Sequence, residues 1–71
     1  MKTSNLYAAR EQSGKTQAQV AKEIGITESS YQRYEYGKVT PNAIIANRIA
    51  RAVNSTVEKL WGYETANNFA I

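Results

Sequence analysis

The chain contains no cysteine and no histidine. Without thiols, neither disulfides nor thiolate metal sites can hold the fold together, and a reducing compartment is compatible with the composition. Without imidazole, the usual metal ligand and the commonest general base are missing as well. No convergent carboxylate pair or phosphate-cradling glycine loop takes their place, so the sequence points away from an enzyme, and neither a metal nor another cofactor is expected. Long apolar runs are also absent. Nothing approaches the ~20 residues of a membrane-spanning helix. The opening MKTSNLYAAREQ mixes isolated apolar residues with charge, unlike the continuous apolar stretch of a secretory signal. The expectation is a soluble cytoplasmic protein with no membrane partner. Internal repeats, linkers and low-complexity segments are missing too, and no stretch alternates apolar and polar residues as a strand would.

At 71 residues there is room for one domain with one small core, and none for a separate sensor or catalytic domain. Charge leans one way: 9 Lys and Arg against 6 Asp and Glu give a formal net charge of +3 and a sequence pI near 9.4. That balance suits an anionic partner without demanding one.

What is present reads as helices. From about Ser4 to Ser13, Leu6, Ala9 and Arg10 share one side, and Gly14 can end the helix in the left-handed region. Thr16 with Gln19 three residues later forms a capping-box pattern. The second helix then places Val20, Ala21 and Ile24 on a common face before Gly25 stops it. Thr27 is the expected cap of a third helix running to about Tyr36, with Ile26 before it available to the core. Gly37 ends that helix. Either Thr40 with Pro41 in the first turn, or Asn42, caps a fourth helix built on Ile45, Ile49, Ala50 and Val53, with Arg48 and Arg51 at more polar positions. Asn54 and Ser55 interrupt it, and Thr56 can cap a last short helix with Val57, Leu60 and Trp61 before Gly62 releases the tail YETANNFAI. The expected organisation is one all-α domain over residues 1–62, with a helix-turn-helix unit at about 16–36 and a short tail at 63–71.

The chemistry lies in how the third helix divides its faces. At ~100° per residue, Tyr31, Tyr34 and Glu35 fall on one side, leaving Ser29, Gln32, Arg33 and Tyr36 on the other. The second group carries what base edges require: Arg can bridge the two acceptors of guanine, Gln can pair with adenine, and Ser serves either. Glu28, at the start of the helix, can accept from a cytosine amino group, though it repels phosphate. On an arbitrary helix such a face is merely solvated surface; between two helices joined by a tight turn it is placed to enter a major groove. Phosphate contacts favour helix N-termini, amides and loop cations, which selects Gln17, Thr27, Tyr36, Lys38 and Asn42. Lys15 can add long-range attraction.

At these residues the chain resembles the Xre-type helix-turn-helix family, which includes the repressor and Cro proteins of lambdoid phages. The resemblance runs from Leu6 to Trp61 and is carried by Arg10, Thr16-Gln17, Ala21, Ile24-Gly25-Ile26-Thr27, Arg33, Glu35, Gly37-Lys38, Pro41, Ile49-Ala50 and Leu60, which agree in order and spacing. It implies a compact five-helix, lambda-repressor-like fold in which the third helix reads DNA and Gln17 contacts the backbone at the start of the second. It also implies a partly buried ion pair between Arg10 and Glu35. The sequence departs from the pattern where the family places aliphatic residues and this chain has Tyr31 and Tyr34, so two phenols must reach the core with hydroxyls satisfied or lie at its edge. Lys15 stands where an apolar residue is common, Ala9, Ala46 and Ser55 are small, and Tyr36 replaces a frequent Asn.

Trp61, Tyr63, Phe69 and Ile71 either cover the local core or form a patch that pairs with a second copy; the second is favoured, because one domain makes few base contacts. The functional expectation is a sequence-specific DNA-binding transcriptional regulator, a repressor that binds double-stranded DNA at a near-palindromic operator as a homodimer. The alternative is an antitoxin-type interaction protein that neutralises a partner and regulates its own operon.

Overall fold

A computed structural model describes residues 4–62. The helices α1 (Asn5–Ser13), α2 (Gln17–Ile24), α3 (Glu28–Glu35) and α4 (Ala43–Ala52) follow in order, and a fifth, α5, covers 57–62. The described residues include no strand.

Each helix starts on a side-chain oxygen. Ser4 accepts from the Tyr7 amide, Thr16 from Gln19, Thr27 from Ser30, Asn42 from Ile45 and Thr56 from Lys59. A cap of this kind contributes about 1 kcal/mol by satisfying an amide that the helix itself leaves unpaired. The capping box closes in both directions: Gln19 Oε1 accepts from the Thr16 amide at 2.7 Å, and Thr16 Oγ1 accepts from the Gln19 amide at 3.1 Å. Between the two possible caps of α4, the structure selects Asn42, whose Oδ1 accepts from the Ile45 amide at 2.9 Å. Pro41 therefore lies outside the helix, and it is buried.

The end of α3 matters most for the site. Tyr36 is the last helical residue in geometry, and Gly37 follows at φ 76°. The Gly37 amide then donates to Tyr34 O at 3.2 Å and the Lys38 amide to Arg33 O at 2.9 Å. This paired closure turns the chain sharply away and throws Lys38 clear of the helix axis. At the end of α4, Asn54 takes the same left-handed conformation at φ 57° without being glycine, and the Ser55 amide donates to Ala50 O at 2.8 Å. Asn is among the few side chains that tolerate that region.

α2 packs against both α3 and α4. The core between them consists of Leu6, Val20, Ala21, Ile24, Tyr31, Ile49, Ala50, Ala52, Val53 and Leu60, with Ala9, Ile26, Tyr34, Ile45, Val57 and Trp61 partly buried against it. Ala21, Ala46 and Ala50 are buried, and Tyr31, at 0% exposure, is the largest fully buried side chain. Tyr31 thus reaches the core and Tyr34 lies at its edge. Ile44, an apolar residue in the first turn of α4, is 66% exposed. Trp61 is half-buried against the core, so part of its indole is used within the domain. Tyr63, Phe69 and Ile71 lie outside the described residues.

Candidate nucleic-acid interface

The site begins underneath α3. Glu35 is 2% exposed, and its carboxylate is surrounded by donors. Arg10 Nε donates to Oε1 at 2.7 Å and Nη2 to Oε2 at 3.3 Å. The Tyr31 hydroxyl donates to Oε1 at 2.8 Å, and Gln17 Nε2 donates to Oε2 at 2.7 Å. Arg10 also donates from Nη1 to Lys15 O at 2.9 Å, and its guanidinium carbon lies 5.3 Å from the centroid of the Tyr7 ring. Side chains from three helices therefore converge on one carboxylate, and the first interhelical turn holds the arginine that pairs with it. No buried side-chain nitrogen or oxygen among the described residues is left without a partner, which is the condition under which a buried ionic network is tolerated.

Electrostatics follow from that geometry. Burial disfavours the charged form of Glu35, yet hydrogen bonds from Arg10, Gln17 and Tyr31, together with the charge of Arg10, hold its carboxyl below the ordinary carboxylate range. The hydrogen bond to Glu35 raises the Arg10 pKa against an opposing desolvation effect. Burial first, and then the hydrogen bond to Glu35, push the Tyr31 phenol above its ordinary value.

On the other side of α3 the polar groups are open. Glu28, Ser29 and Arg33 are exposed, as are Thr27, Tyr36, Lys38 and Asn42. The side chains of Ser29, Arg33 and Lys38 have no hydrogen-bond or ion-pair partner among the described residues. Gln32 differs from its neighbours: it is half-buried, and its Nε2 donates to Gln17 Oε1 at 3.0 Å and faces Glu28 Oε2 at 3.5 Å. The oxygens of Thr27 and Asn42 are occupied as helix caps, and the Thr27 hydroxyl donates to Ser30 Oγ at 2.9 Å. Gln17 is half-buried; besides its bond to Glu35, its Nε2 lies 3.5 Å from the Tyr36 hydroxyl. The four residues that the sequence assigns to base edges thus stand on one face of α3; of those assigned to phosphate, Thr27, Tyr36 and Lys38 adjoin its two ends, Gln17 starts α2 and Asn42 caps α4.

Lys15 makes contacts that the sequence did not reveal. Its ammonium donates to Ala52 O at 2.7 Å and pairs with Glu23 at 2.9 Å. It ties the turn before α2 to the end of α4, where the partial negative charge of the last carbonyls favours a cation. The family-like apolar residue is replaced here by a long stem with a satisfied tip. The only local signal was a lysine at a position expected to be apolar.

A capped helix, a left-handed glycine at its end, and a second helix whose outer face is free and inner face is clamped together define a helix-turn-helix domain. The helix-turn-helix family model matches residues 6–60. The chain belongs to the Xre-type helix-turn-helix family. It is 44% identical over 48 residues to the cryptic phage CTXphi transcriptional repressor RstR of Vibrio cholerae serotype O1, a stretch covering 68% of this chain and 43% of that protein. The chain thus spans less than half the length of that relative. No solved structure matches it at a significant level. Among the described residues there is no group of three or more acidic, His or Cys side chains able to hold a metal ion, and no helix is long and apolar enough to cross a membrane.

Proposed function

We propose that the protein is a sequence-specific DNA-binding transcriptional regulator, a repressor that lays α3 in the major groove of double-stranded DNA. The observation that carries this reading is the state of Ser29 and Arg33: exposed, unpartnered among the described residues, and mounted on a helix whose other side is held by Glu35. Glu28, Ser29, Gln32 and Arg33 test base edges, with Arg33 suited to the paired acceptors of guanine. Lys38, Tyr36, Thr27 and Asn42 flank them for phosphate. Because the Gln17 side-chain amide already donates to Glu35, its backbone amide at the first position of α2 is the better donor to a phosphate. The similarity to a phage transcriptional repressor supports the same reading.

The domain acts as a homodimer, since a single α3 makes too few base contacts for useful specificity. Trp61, Tyr63, Phe69 and Ile71 are assigned to the two-fold contact. Selection of bound sequences from a random duplex pool tests the proposal. The expected result is an enriched near-palindromic site with half-sites about 34 Å apart; a flat pool at moderate salt would contradict it. Sedimentation of a monomer at high micromolar concentration, with and without the selected duplex, would remove the dimer.

A further inference from the structure

The side chain of Gln32 has its hydrogen-bonding capacity divided before any DNA arrives, and the division can be traced from the core outward. Glu35 is ionised and paired with Arg10 at 2.7 Å, so it can only accept. The Gln17 atom lying 2.7 Å from Glu35 Oε2 is therefore the nitrogen, and the other end of that amide is the oxygen. The Gln32 atom 3.0 Å from the Gln17 oxygen must then be a donor, which is its Nε2. The second hydrogen of that nitrogen faces Glu28 Oε2 at 3.5 Å, again a group that only accepts. A carboxylate inside the protein has thus set the orientation of two successive amides, and what remains without a partner among the described residues is the Gln32 oxygen.

We propose that Gln32 is a specificity-determining residue that reads its base as an acceptor alone, with Gln17 and Glu28 as the positioning residues that impose this. A free glutamine pairs with adenine through both N6 and N7, the amide nitrogen donating to N7. Here that nitrogen is engaged, so the group recognised is an exocyclic amine. In the major groove only adenine and cytosine present one, at N6 and N4, while guanine and thymine present O6 and O4 and oppose an acceptor. The base pair under Gln32 is accordingly selected as adenine or cytosine rather than as adenine alone.

This inference rests on the DNA-binding reading above, and its test separates the two. Bound duplexes are selected from a random pool with the wild-type chain, Gln32→Ala, Gln17→Met and Glu28→Ala, and the sites are then titrated as single-base panels. In the wild type, the position that loses its preference in Gln32→Ala should favour adenine and cytosine over guanine and thymine by roughly 3- to 10-fold, the size of one net hydrogen bond. Gln17→Met releases one hydrogen of Gln32, and Glu28→Ala releases the other without touching Glu35; each should narrow that same position toward adenine. A merely structural or phosphate-binding Gln17 would instead weaken every sequence equally and leave the preferences unchanged, which would overturn the inference. So would a wild-type position that accepts adenine only, or a selected site in which Gln32→Ala alters no position. A pool that enriches nothing would defeat the DNA-binding reading itself.

Discussion

On the inner side of α3, Glu35 accepts from Arg10, Gln17 and Tyr31; on the outer side, Ser29 and Arg33 are exposed, and their side chains accept from or donate to nothing among the described residues. Both sides are polar, on a helix of 8 residues, and they differ in whether their hydrogen-bonding groups are already satisfied. The contrast separates two tasks that a single short helix must perform. Satisfied polar groups hold a helix in one orientation, because each hydrogen bond demands a distance and a direction. Unsatisfied ones at the surface remain available to a partner, and water screens them at little cost meanwhile. The buried ion pair need not make the domain more stable than an apolar pair would, since desolvation offsets the attraction. Its contribution is to fix where the outer face points.

The comparison breaks most severely at Glu35. Glu35→Ala leaves Arg10 buried without its partner, along with the Tyr31 hydroxyl and the Gln17 amide. A loss of about 3 to 5 kcal/mol is expected for such a removal, enough to unfold most of a domain this small at 37 °C. Thermal unfolding followed by circular dichroism measures it, and a melting temperature within a few degrees of wild type would show that the inner network is not the clamp. The same carboxylate predicts an acid limb. Its folded pKa is depressed, so the stability it contributes is present above the ordinary Glu value of about 4.3 and is lost as pH falls through the lower folded value. For Tyr31 the folded pKa is raised, so its contribution is intact below about 10 and is lost as pH rises through the folded value. Melting temperature against pH should show a plateau with a shoulder at each end.

Next in size, on the outer side, Arg33→Ala should lower discrimination at one base pair by about 1 to 3 kcal/mol while leaving the melting temperature unchanged, since the residue is exposed. Equal losses on every member of a mutated-site panel would show that Arg33 is not a reader. Lys15→Met tests whether the clamp extends beyond α3. It keeps most of the apolar stem but removes the hydrogen bond to Ala52 O, and should cost about 1 kcal/mol in urea unfolding with the same m-value. Lys38→Ala is the smallest effect: a weakening of less than about 1 kcal/mol on all sequences alike, with the salt dependence of binding flattened by about one phosphate's worth. A sequence-dependent loss there would move Lys38 from the phosphate group to the base-reading group.

Much of the fold was legible because capping is local chemistry. Thr16 and Gln19 are three residues apart, and a side chain at that spacing meets the amide it satisfies whatever the rest of the chain does. The inward turn of Tyr31 and Glu35 was legible from the helical period, although the direction depended on recognising which face met the neighbouring helices. The start of α4 stayed open between Thr40 and Asn42, since both carry a suitable oxygen; the fold decides for Asn42 by burying Pro41 ahead of it. Arg10 and Glu35, 25 residues apart, entered through family resemblance and not through spacing. The bond from Lys15 to Ala52, 37 residues apart, was invisible.

By itself, then, the order of residues determined how many helices form, where all but the fourth begin, and which side of each is apolar, because caps, left-handed glycines and a 3.6-residue period act within a turn or two. Beyond the caps, tertiary structure decided how the side chains of Glu35, Gln17 and Lys15 are occupied. Those assignments depend on groups brought together from 15 to 37 residues away, and a hydrogen bond exists only where three-dimensional distance and direction allow it.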